Sequence, residues 1–124
     1  MAKWGEATVG NISIMSMVKK FAEVMGQEPN PESSGNLVLE EFNEWFDEFY
    51  TGYPPAELKE LSDLVYVIYG YANVRGWNLD EAVRRVHENN IGRCIQPDGS
   101  IKRREDGKIL KNKDFPKVEL GDLV

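Results

Sequence analysis

Hydrophobic positions along the chain fall into four stretches with a helical period and a final stretch without one. From about Ile12 to Met25, the residues Met15, Val18, Phe21, Ala22 and Met25 share one side, and Gly26 follows as a stop. The polar run QEPNPESSG after it reads as a loop, because proline, serine and glycine punctuate it. A second helix is predicted from about Asn36 to Tyr50. Its Val38, Phe42, Trp45, Phe46 and Phe49 recur at i, i+4, i+7, i+8 and i+11 and make a wide apolar stripe, read as core. Glu41, Glu44 and Glu48 stack along an adjacent line at spacings of three and four.

Thr51 to Pro55 breaks the pattern with one glycine and two prolines. The third helix starts at or just after Pro55, where proline is tolerated, and runs to about Arg75. Beyond Asp63 it is apolar nearly all round (LVYVIYGYA), so it must be covered on several sides, inside a bundle or by another subunit. Asn78 and Glu81 have the spacing of a capping box opening a fourth helix, with Leu79, Ala82, Val83 and Val86 as its buried face and an end near Asn90. After Gly92 the period disappears. Asp98-Gly99 and Asp106-Gly107 are turn signals, and the run between them suits a hairpin or an extended arm. The expected architecture is all-α, a four-helix bundle-like domain over 1–124, with a helical core at about 11–91 and an irregular basic tail at about 92–124.

Charge sharpens this picture. The 124 residues carry 15 basic and 21 acidic side chains, a net charge of −6, which argues against a general nucleic-acid binder. The distribution is uneven: ten acids against one base (Lys59) from Gln27 to Asp63, then eight bases against four acids from Gly92 to Lys117. A cation-plus-polyphosphate site would want such segregation, and ordinary solvated faces can also produce it. Cys94 is the single cysteine, so neither an internal disulfide nor a thiolate zinc site is expected. No apolar run is long enough for a membrane span, and MAKWGEATVG has no secretory core, so a cytoplasmic protein is expected, in a bacterium or in a phage host.

The sharpest local signal joins two helices. Glu41 with Glu44, and Glu60 with Asp63, each form an i, i+3 pair on one helix face, and the short connection between the helices makes them antiparallel neighbours. Four carboxylates brought together repel one another unless a cation lies between them, and oxygen ligands suit Mg²⁺ or Mn²⁺. Glu60 and Asp63 sit where the third helix turns from polar to apolar, at the edge of the core, where an unpaired charge is costly.

On these residues the chain resembles the MazG-like nucleotide pyrophosphohydrolases. L-E-E-F-N-E-W (Leu39 to Trp45) and E-L-S-D-L (Glu60 to Leu64) are similar to that family's EExxE…ExxD signature. KELSDLVYVIYG (Lys59 to Gly70), VHENN (Val86 to Asn90) and REDGKILK (Arg104 to Lys111) are similar to further blocks of a small single-domain phage and bacterial subgroup, so the likeness covers about Leu37 to Phe115.

The resemblance implies a Mg²⁺-dependent, dimeric or tetrameric enzyme that cleaves a nucleoside triphosphate to the monophosphate and pyrophosphate. It implies Glu41, Glu44, Glu60 and Asp63 as metal ligands. Glu40 would be a further ligand or would hold the attacking water. Asn90 would contact the nucleotide or its phosphates, and Arg93, Lys108 and Lys111 the phosphate chain. The chain departs from the family where it has Arg93 for a frequent lysine, Ser34 for a frequent arginine, and N-K-D-F after Lys111. Alternatives are a pyrophosphohydrolase of another nucleotide, such as phosphoribosyl-ATP or a signalling nucleotide, and a non-catalytic helical oligomer. His87 reads as structural, Trp77 as packing or pocket wall, and the cluster Lys102, Arg103 and Arg104 as either phosphate-binding or solvated.

Overall fold

The computed structural model describes residues 13–124, and every described element of regular structure is helical. The expected first residue of the leading helix, Ile12, and the N-terminal segment lie outside the described residues. Helix α1 spans Ile14–Met25. Ser13 caps it by accepting a hydrogen bond from the Ser16 N–H at 3.1 Å, which satisfies one of the orphan amides at a helix start.

Helix α2 spans Pro31–Thr51 and so begins five residues before the expected Asn36. The run that reads as a loop is an N-terminus instead. Asn30 Oδ1 accepts from the Ser33 N–H at 3.1 Å, Pro31 occupies a first-turn position that needs no donor, and Glu32 sits where the helix dipole favours an acid. Gly35 then lies within the helix with its bare side 3.6 Å from the Tyr71 ring.

Helix α3 spans Pro54–Arg75, leaving only Gly52 and Tyr53 as its connection to α2. Gly52 takes the left-handed conformation (φ 73°) that lets the chain reverse there. The contacts between α2 and α3 run in opposite senses: Trp45 donates its indole N–H to Glu57, Glu41 faces Glu60 and Asp63, and Gly35 faces Tyr71. The two helices are therefore antiparallel along their length. Helix α1 lies on α3 the same way, with the Phe21 ring edge-on to Tyr66, Gly70 near Val18, and Asn73 Nδ2 donating to the Met15 carbonyl at 3.3 Å.

By its internal contacts the chain divides into two compact units, Met1–Leu79 and Asp80–Val124. Helix α4 spans Leu79–Cys94 and so belongs almost wholly to the second unit, with the tail. It passes the expected end at Asn90 and ends one turn later. Arg93 donates to Asn90 Oδ1 at 3.0 Å and places a positive charge in the last turn, where the dipole favours it.

The tail forms two turns of one design. Gly99 N–H donates to Gln96 and Gly107 N–H donates to Arg104, with both glycines at positive φ (85° and 87°), and Asp98 and Asp106 brace the turns by accepting from the Ser100 and Lys108 N–H groups. Across the second turn one isolated antiparallel bridge forms, Arg103 to Ile109, and there is no strand among the described residues. The chain then returns along α4. Asn112 N–H donates to the Arg93 carbonyl, Asn89 Nδ2 donates to the Pro116 carbonyl at 2.7 Å, and Arg85 reaches both the Glu119 carbonyl and the Asp122 carboxylate. The expected irregular tail is thus an ordered strap over its own helix.

Burial is shallow. Among the described residues only Val18 and Ala72 are buried. Phe42, Phe46 and Phe49, expected in the core, are exposed, as are Val83 and Val86 of the expected buried face of α4. The rings of the α2 stripe stack on one another along one helix side, as with Phe42–Phe46 and Phe46–Phe49. None of the described helices is long and apolar enough to cross a membrane.

Candidate cation centre

The site grows directly from the antiparallel pairing in the first unit. Gly52 and Tyr53 turn α2 into α3, so residues equally far from that turn meet across the helix pair. Glu41 from α2 and Glu60 and Asp63 from α3 come together this way, and each offers a carboxylate oxygen within 4.8 Å of the other two. All three side chains are half-buried. Glu41 Oε2 and Glu60 Oε2 are shut off from solvent and have no hydrogen-bond partner.

The electrostatics follow from that crowding. Burial, the first cause, and a hydrogen-bond approach by the Glu44 carboxylate, together with the charges of Glu44, Asp63 and Glu60, push the Glu41 carboxyl up from 4.5 to about 7. Glu44 touches Glu41 but lies outside the triplet, exposed one turn further on. Glu40 is exposed beside Glu41.

One base enters the cluster that the acid spacing alone did not bring to notice. Lys59 Nζ lies 2.6 Å from Asp63 and 3.6 Å from Glu60, and its ammonium is held above the ordinary lysine range chiefly by the hydrogen bond to Asp63. The signal was present as an i, i+4 Lys59–Asp63 spacing. The Trp45–Glu57 hydrogen bond is a second contact that spacing within one helix does not reveal.

The triplet fits a small hard cation. Its donors are all carboxylate oxygens, and two of them are buried and unsatisfied by the protein. One turn beyond it on both helices, Leu37 and Tyr66 begin a cavity of about 730 Å³, walled mainly by apolar and aromatic side chains with Ser33, Ser34 and Asn73 among its polar groups.

The remaining expected site residues belong to the second unit. Asn90 and Arg93 are joined by their hydrogen bond one turn apart on α4, and Arg93 Nε is buried without a partner. Lys108 and Lys111 are exposed on the tail. His87 is exposed as well. Compared with known proteins, the chain matches no family model and none of the curated sequences.

Proposed function

We propose that this chain is a Mg²⁺-dependent nucleoside triphosphate pyrophosphohydrolase of the MazG-like kind, releasing pyrophosphate and a nucleoside monophosphate and working as a homo-oligomer. The observation that carries the reading is the convergence of Glu41, Glu60 and Asp63 with two buried oxygens that no protein donor satisfies. An uncompensated buried anion is costly, and a divalent cation supplies the missing compensation.

Glu41, Glu60 and Asp63 would hold the ion, with Glu44 as a further ligand or as the group that orients Glu41. Bound there, Mg²⁺ or Mn²⁺ supplies charge neutralisation at phosphate oxygens and lowers the pKa of a nearby water. Glu40, exposed and adjacent to Glu41, is assigned to hold the attacking water. Asn90, Arg93, Lys108 and Lys111 are assigned to the nucleotide and its phosphates. Arg93 has a spare buried donor and the two lysines are exposed, so each has hydrogen bonds to give. The aromatic-walled cavity beside the acids has room for a nucleoside.

The test is pyrophosphate release from a panel of ribo- and deoxyribonucleoside triphosphates with Mg²⁺. Wild type is expected to release it from at least one, and the Glu41→Ala/Glu60→Ala double variant from none. A folded wild type that binds neither metal nor any nucleotide of the panel would sink the enzyme reading.

A further inference from the structure

Lys59 directly precedes Glu60 on α3, and its side chain, 68% exposed, folds back on the acidic triplet. At 2.6 Å its ammonium occupies Asp63 Oδ2, the carboxylate at which a cation would have to arrive, and at 3.6 Å it reaches Glu60 Oε1. It does not serve the buried Glu41 Oε2 or Glu60 Oε2, which stay unpartnered. The lysine therefore neutralises the outer side of the cluster and leaves the inner side unmet.

Resting on the cation-centre reading above, we infer that Lys59 is a tethered counter-ion that holds Asp63 while the centre is empty and has to be displaced before a divalent cation can take that carboxylate. A dication brought to Asp63 meets the positive charge already held at Oδ2, so the two cations compete for the carboxylate, and Lys59 sets the concentration at which the dication prevails. A lysine suits this work, because a compact point charge on a four-carbon stem can withdraw into water without disturbing the helix that carries it. Lys59 is a positioning residue: it acts on the cation through Asp63.

The experiment is a Mn²⁺ titration of the full chain, read by calorimetry and by thermal melting, for wild type, Lys59→Met and Lys59→Arg. It is run in about 0.5 M potassium chloride, where attraction between charges not in contact is largely screened. Lys59→Met is expected to bind Mn²⁺ at a severalfold lower concentration than wild type and to melt lower without metal. Lys59→Arg, which keeps a competing cation at Asp63, is expected to restore the wild-type midpoint. A Lys59→Met midpoint equal to or above that of wild type would overturn the inference and leave the centre standing. Absence of Mn²⁺ binding in all three folded proteins would overturn the cation centre and this inference together.

Discussion

Glu41 carries the tension of the centre in one side chain. Its carboxyl stands at about 7 in the folded protein against an ordinary 4.5, so the fold prefers it protonated. In metal-free buffer the stability tied to that proton is fully present below about pH 4.5 and is lost as pH rises through 7. A cation needs the opposite, ionised form, so binding releases the proton and weakens as pH falls below 7. The midpoint of a Mg²⁺ thermal-shift titration is expected to move about tenfold in concentration per pH unit between pH 5.5 and 7, and to level off above. Glu41→Gln removes the proton from the exchange. It is expected to melt higher than wild type at pH 8 without metal and to show no Mg²⁺ shift. A midpoint independent of pH across that range would remove Glu41 from the ligand set.

Elements show where local pattern suffices and where it does not. The four described helices and the meeting of Glu41 with Glu60 and Asp63 across α2 and α3 are legible, because 3.6-residue periodicity and a short reversal are local properties of sequence. The start of α2 is not, because Asn, Pro, Glu and Ser serve equally in a loop and in a helix cap; the backbone choice at Asn30 separates the two. Lys59 does not stand out in the acid spacing, because pairs of carboxylates define that pattern and its contact with Asp63 is an i, i+4 pair of opposite charge. The end of α4 depends on something further along the chain. Gly92 looks like a stop, yet it lies inside the helix, and the Phe115 ring, 23 positions on, fills the space its Cβ would take. Gly92→Ala is therefore expected to lift the strap and cost about 1–3 kcal/mol, the range for overpacking a filled site. Lower melting and faster proteolytic cleavage between Asn112 and Val124 would register it. Gly35→Ala is the matched control: its new methyl would meet Tyr71 at an ordinary 3.6 Å, and helix propensity favours alanine, so melting is expected to hold or rise. Equal sensitivity of the two sites would mean that Phe115 does not depend on the gap.

At the scale of the whole molecule the open question is what covers the apolar surface. The sequence already asks for cover on α3, inside a bundle or from another subunit, since it is apolar on nearly every side beyond Asp63. In the single chain Tyr66 and Ile68 of that helix are exposed, and so, separately, are Phe42, Phe46, Phe49 and Tyr50 along α2 and Tyr53 in its turn. The rings of this α2 strip stack on one another, which orders the surface without removing it from water. A row of exposed apolar rings of this kind supports the proposed homo-oligomer. A second copy of the chain offers an identical strip, and self-complementary burial across a two-fold axis needs no further partner chemistry. The strip runs along α2 beside Glu41 and Glu44, so covering it would also dry the surroundings of the proposed centre and strengthen every charge interaction there. Sedimentation velocity of wild type is expected to give a dimer or tetramer down to low micromolar concentration. Phe46→Glu/Phe49→Glu, which sets charges into the strip, is expected to sediment as a monomer, to melt lower, and to lose Mg²⁺ affinity although no carboxylate of the triplet has been changed. If wild type is monomeric and the double variant keeps its cation affinity, the strip is not an interface between copies of this chain, and the centre is complete within one chain.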